Sequence, residues 1–221
     1  MSFTEDVAPA VEPIWTAIER HPMVAGIGDG TLDREPFAYW VKQDYRYLIE
    51  YSRVFAYGAG RAPSLDEMGK FAELLAGTLN TEMDLHRAYA AEFGISSEEL
   101  EATDPSPTTQ AYTDFLVRTA AVDSFGELIA ALVPCMWGFH ETGKRLAADG
   151  LPDHPQYREW IEMYTSDEFA ELTTWCLELM DRVADDAEPE GLERFREHLL
   201  TSARYEYRFW DAAWEQEDWT V

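Results

Sequence analysis

SFGELIAALVPCMWGFHETGKRLAA, residues 124–148, decides the fold class. Phe125, Leu128, Ile129, Leu132, Met136 and Phe139 recur at three- and four-residue spacing and make one apolar face, the period of an α-helix rather than of a strand. Ser124 and Glu127 form a capping box at its start. Gly150-Leu151-Pro152 breaks the pattern after Ala148. Pro134 lies well inside. A proline there removes one backbone hydrogen bond, crowds the carbonyl one turn earlier and costs about 3 kcal/mol. A kink at this point could aim the next residue, Cys135, into the interior and leave a carbonyl near Ala130 to accept a bond. The segment alone leaves two readings of Cys135 open: a small inert core residue or a reactive thiol.

Helical periodicity continues on both sides. Val7, Val11, Ile14 and Ile18 share a stripe of a first helix, which His21-Pro22 ends, and Gly26-Ile27-Gly28-Asp29-Gly30 is expected to form a turn. That glycine run follows a helix and lacks the lysine of a phosphate loop. A second helix is predicted from Asp33 to Tyr51 and another from Arg53 to Gly60. Ser64 and Glu67 open a long helix that stops at Gly94, and Asp104-Pro105-Ser106-Pro107 is a loop before a helix over 108–121. Further helices are expected over 155–163 and 167–184, and a last one ends near Trp214. No strand-like alternation, repeat or linker appears, so residues 1–221 read as a single all-α domain, a helical bundle.

The charge is extreme: 43 acidic residues against 17 basic ones give a formal net charge of −26. Acidic residues spread along the whole chain and lysine is confined to Lys42, Lys70 and Lys144. Such a surface repels itself in dilute buffer and is screened in molar salt, which fits a halophilic source. It also excludes the basic stripe that nucleic acid needs and disfavours an anionic membrane. The N-terminal residues lack the pattern of a signal peptide, no apolar run reaches membrane-span length, and two cysteines imply no disulfide framework. A cytoplasmic protein is expected.

Two more inward stripes carry an unexpected charge. Phe37, Trp40, Val41, Asp44, Tyr47, Leu48 and Tyr51 share one face of the second helix, and Asp44 is its carboxylate. Leu199, Ser202, Ala203, Glu206, Phe209, Trp210 and Ala213 share one face of the last helix, and Glu206 is flanked by Tyr205 and Tyr207. A buried carboxylate must be paired or hydrogen-bonded, or it takes up a proton, which suits it to general-acid work. The alternative for Asp44 is a structural bridge inside the bundle. Aromatic rings beside carboxylates suit a flat, nitrogen-rich ligand. A metal site is poorly supported: Glu82 and His86 share a helix face, but a di-iron bundle needs two Glu-x-x-His pairs, and His86 has methionine three residues before it. His86 reads as a structural hydrogen-bonding residue, and Cys176 as core.

The chain resembles the TenA family (thiaminase II, aminopyrimidine aminohydrolase). The resemblance rests on His21 through Leu32, Gln43-Asp44, Glu82 through Arg87, Pro105 through Thr108 with Tyr112, Ala131 through Cys135, Tyr205-Glu206-Tyr207 and Phe209-Trp210. It spans residues 3–219 in order. It implies a heme-oxygenase-like helical fold without heme, usually a homotetramer. It implies hydrolysis of 4-amino-5-aminomethyl-2-methylpyrimidine to hydroxymethylpyrimidine and ammonia in thiamine salvage, with thiamine cleavage in many members and no metal or redox cofactor. By matching position, Cys135 is the nucleophile, Glu206 the proton donor and Tyr47 the residue that activates the thiol. Asp44 holds the pyrimidine's amino group and ring nitrogen, and Tyr112 and Tyr164 line the pocket. Phe139 stands where members often carry tyrosine, so one hydroxyl contact at the site is absent. Two other functions stay in competition: a non-catalytic pyrimidine binder or regulator, and an oxidase on the same helical fold.

Overall fold

A computed structural model describes residues 2–221, without the side chains of Thr81, Glu82 and Leu85. Among the described residues all regular structure is helical. The helices are α1 (Phe3–Glu19), α2 (Pro22–Asp29), α3 (Arg34–Arg61), α4 (Leu65–Gly77), α5 (Met83–Glu92), α6 (Ser97–Ala102), α7 (Pro107–Val122), α8 (Phe125–Ala148), α9 (Pro155–Tyr164), α10 (Asp167–Asp185) and α11 (Pro189–Glu215). A π-helical turn, Thr78–Glu82, joins α4 to α5. None of these helices is long and apolar enough to cross a membrane.

The chain contacts divide into two compact units, and α8 and α11 each run through the boundary between them. The first comprises residues 1–33 and 129–211. Here α1 packs on α10 and α2, and α9 packs on α2 and α10. Val7, Val11, Trp15 and Ile18 are the buried stripe of α1; Ile14 is only half-buried, and Trp15 takes its place. The second unit comprises residues 34–128 and 212–221, with α3 packed on α4, α5 and α7. All seven residues of the predicted α3 stripe are buried.

Two local expectations need correction. Gly26–Gly30 is not a turn: Pro22–Asp29 is helix, opened by Pro22 in its first turn, with the His21 imidazole accepting from Met23 N–H, and only Gly30 (φ 78°) is left-handed. The inner glycines serve close approach instead, since a Cβ on Gly28 would lie 2.7 Å from Leu146 Cδ2. Nor does the chain break between Tyr51 and Arg53. Ser52 Oγ donates to Leu48 O (2.8 Å), so its hydroxyl is satisfied within the helix rather than competing with it. The structure also adds α6, a short helix with a capping box from Ser96 and Glu99 that the apolar pattern gives no reason to expect. The two other capping residues behave as predicted: Ser64 accepts from Glu67 N–H, and Ser124 and Glu127 bond each other's backbone.

Candidate functional site

The seven candidate residues fall in two clusters, four in the first unit and three in the second. In the first, Cys135 and Glu206 stand on α8 and α11, and two contacts fix how these helices lie. Ser202 Oγ donates to Ala131 O at 2.6 Å. Eight residues further along both helices, the Phe139 and Trp210 rings meet with centroids 5.6 Å apart. Both pairs are separated by the same 71 positions in sequence. The helices therefore run parallel here, in a fixed register. Cys135 lies four residues after Ala131 and four before Phe139; Glu206 lies four after Ser202 and four before Trp210. That places thiol and carboxyl at the same level, about 6 Å along the axis from each anchoring contact.

Pro134 explains part of this arrangement. It lacks the N–H that would bond the Ala130 carbonyl, and its ring crowds that turn. The carbonyl that receives a side-chain donor is the next one, Ala131 O, and α8 continues as helix through the proline. Ser202 is fully buried, so this bond forms away from water and pins α11 to α8 one turn from both chemical groups. The two cysteines differ in exposure: Cys176 is 1% exposed, whereas Cys135 is half-buried. Glu206 is 3% exposed.

An aromatic cluster joins α8, α9 and α11. Phe139 packs on Tyr164 (4.8 Å between centroids) and Trp160 (6.1 Å), and Trp160 packs on Trp210 (5.8 Å). Tyr164 is the last residue of α9, held to α8 by a contact between His140 Nδ1 and its carbonyl oxygen (2.9 Å). Gly143 permits that approach: any Cβ there would stand 3.0 Å from Tyr164 Cβ. Trp160 escaped the sequence reading, because a tryptophan on an apolar stripe looks like any core residue.

In the second unit Asp44, Tyr47 and Tyr51 share the buried face of α3. Tyr47 stacks on Tyr51 (5.2 Å, 24° between planes) and packs against Tyr112 of α7 (5.2 Å). Gln43 sets the start of α7: its Nε2 donates to Asp104 O, and its Oε1 accepts from Ser106 N–H. The predicted loop is therefore clamped from the residue beside Asp44. Asp44 is 7% exposed and its Oδ2 lies 2.6 Å from His86 Nε2 of α5. His86 is thus a hydrogen-bonding residue, as expected, but its partner is a candidate site residue 42 positions away. Glu82, its neighbour in the metal reading, has a side chain outside the described residues.

The TENA/THI-4/PQQC family model matches residues 8–216. An aminopyrimidine aminohydrolase of Halalkalibacterium halodurans is 45% identical over 220 residues, 99% of this chain and 98% of that protein. The aminopyrimidine aminohydrolase of Bacillus subtilis is 37% identical, over 100% of this chain and 93% of that one. Among solved structures, a TenA homologue from P. horikoshii OT3 superposes with a TM-score of 0.89 at 28% identity, covering 97% of this chain and 99% of its own. A Shewanella denitrificans domain with a heme oxygenase-like fold superposes at 0.72 with 13% identity, a likeness of fold alone, over 96% of this chain and 92% of its own. The fold is all-α and heme-oxygenase-like, and the chain belongs to the TENA/THI-4/PQQC family.

Proposed function

We propose that this protein hydrolyses 4-amino-5-aminomethyl-2-methylpyrimidine to the hydroxymethylpyrimidine and ammonia, a thiamine-salvage reaction, with Cys135 as nucleophile. The observation that carries this reading is the register of α8 and α11, which sets a half-buried Cys135 level with a buried Glu206 between two fixed contacts. The two relatives named aminopyrimidine aminohydrolases, similar over almost the full chain, support the substrate class.

The chemistry divides among the residues as follows. A pyrimidine is a poor electrophile until a ring nitrogen is protonated, and Glu206 supplies that proton. Cys135, as thiolate, then adds to a ring carbon, with Tyr47 activating the thiol. The electron pair gained by the ring expels the side-chain amine, which is protonated as an ammonium group, from the methylene as ammonia. Water adds to the methylene, giving the alcohol, and departure of the cysteine restores the aromatic ring and returns the proton. The sum is one water consumed and one ammonia released. Asp44 orients the ring through its amino group and ring nitrogen, while Tyr112, Phe139 and Tyr164 supply flat apolar walls. Thiamine, with thiazolium as leaving group, fits the same sequence of bonds and is proposed as a second substrate. We further propose that residues 1–221 behave as one cooperative domain, cytoplasmic and assembled as a homotetramer. Sedimentation and calorimetry in molar KCl test assembly and cooperativity.

The test of function is to incubate the purified protein with the aminomethylpyrimidine in high salt and to quantify both products. Ammonia and hydroxymethylpyrimidine should appear in equal amounts. Tight binding of the pyrimidine with no turnover would make the protein a binder and contradict the reading.

A further inference from the structure

His86 has no part in the roles assigned above, and it follows an unusual piece of backbone. The helices α4 and α5 form one continuous rod interrupted only by the π turn Thr78–Glu82, where Met83 N–H donates to Thr78 O, five residues back. A π turn carries one residue more than an α turn, so everything after it is rotated by about 100° relative to an uninterrupted helix. The buried residue of α4 is Phe71. In an unbroken α-helix Met83 and Ala90 would point about 120° and 100° away from Phe71. The π turn removes about 100° of that, and Met83 and Ala90 are indeed both buried. His86 lies between them on this face, three residues after Met83 and four before Ala90. The widened turn disturbs the backbone ladder, and the Asn80 side chain compensates by donating from Nδ2 to Ala76 O (2.8 Å).

His86 Nε2 lies 2.6 Å from Asp44 Oδ2, with the two side chains only 12% and 10% exposed. We propose that His86 is a positioning residue for Asp44: it fixes the rotation of the carboxylate and keeps it a hydrogen-bond acceptor. The consequence is a choice of ligand form. A protonated Asp44 would donate to a neutral ring nitrogen. An acceptor carboxylate instead takes N–H donors from an amino group and from a ring nitrogen that itself carries a proton. The site then holds the aminopyrimidine in the ring-protonated form that Glu206 generates, the form that accepts a nucleophile. This rests on the proposed function and adds to it the protonation state in which the ring is held.

The test is a four-member cycle of wild type, His86→Leu, Asp44→Asn and the double variant, assayed for ammonia release from the aminomethylpyrimidine. His86→Leu should lower kcat about tenfold or more with a smaller change in KM, because ring stacking persists while the ring's protonated form loses its acceptor. In the Asp44→Asn background the same change should have almost no further effect, since the asparagine is not a carboxylate to be positioned. A His86→Leu enzyme with wild-type kcat, or losses that simply add in the double variant, overturns the proposal. If His86→Leu melts early, His86→Gln and His86→Asn decide. Glutamine carries an N–H near the position of Nε2 and should retain turnover; the shorter asparagine should lose it. Equal turnover in those two variants overturns the proposal. Wild type run beside them separates the two levels of inference: an active wild type with an unchanged His86→Leu removes only the role of His86, and an inactive wild type removes both.

Discussion

Ser202 Oγ donates to Ala131 O at 2.6 Å, in the turn of α8 that precedes Pro134 and Cys135. The bond fixes the register of α11 on α8, on which the proposed chemistry depends. Ser202→Ala should lower stability by about 1–2 kcal/mol. For a chain of this length that is a fall in Tm of about 3–6 °C. Ammonia release should fall as well, because Glu206 is carried on the same helix one turn later. A variant that loses stability but keeps full kcat would show that this bond does not set the register of the two groups.

Phe139 is ringed by Tyr164, Trp160 and Trp210, and it stands where the resemblance leads one to expect a tyrosine. Phe139→Tyr adds one hydroxyl with little change in shape. We expect kcat/KM for the aminomethylpyrimidine to rise about threefold. The added hydroxyl should also alter the ratio of aminopyrimidine to thiamine turnover. Steady-state kinetics on both substrates checks this, and unchanged values for both would remove position 139 from the determinants of rate.

A second polar cluster gives a pH prediction. Buried Tyr45 donates to Glu101, and Arg87 donates to the Tyr45 oxygen (2.9 Å). The tyrosine hydroxyl, and secondarily Arg87, hold the Glu101 carboxyl below its ordinary value of 4.5. A carboxyl depressed in the folded state stabilises fully above its unfolded value and loses that contribution as pH falls through the folded value. The Tm gap between wild type and Glu101→Gln should therefore be greatest above pH 4.5 and close below it. Glu101 is largely exposed, so solvent screens the effect and the gap will be small. A gap that stays constant from neutral pH to pH 3, about the range over which carboxylates titrate, would contradict this assignment.

The net charge of −26 predicts a strong salt response. The Debye length falls from about 10 Å at 0.1 M to about 3 Å at 1 M salt, which screens most of the repulsion between surface carboxylates. The Tm should rise by about 10 °C or more across that range of KCl. A flat melting curve against KCl would remove the halophilic reading of the surface.

The helices that matter were legible where apolar residues repeat at helical spacing. The α3 stripe from Phe37 to Tyr51 and the α11 stripe from Leu199 to Ala213 are buried at every predicted position. Asp44 and Glu206 stood out because each is the charged member of its stripe. Local chemistry misled where a residue had two uses. Gly26 and Gly28 serve packing rather than a turn, and Ser52 bonds within its own helix rather than ending it. The contact of His86 with Asp44 could not be read in advance, since it joins residues 42 positions apart on different helices. The register of α8 against α11 was hidden for the same reason: 71 residues separate its two sides. The roles of Cys135, Glu206 and Tyr47 came from the family resemblance, and the periodicity alone left Cys135 undecided.

The central claim is that the Cys135 thiol is the nucleophile. Its most direct test is ammonia release from the aminomethylpyrimidine by wild type and Cys135→Ser, both verified as folded by circular dichroism in high salt. A hydroxyl is a far weaker nucleophile than a thiolate, so the serine variant should lose about 10³-fold or more in kcat while still binding the pyrimidine. Turnover at the wild-type rate in Cys135→Ser would contradict the account.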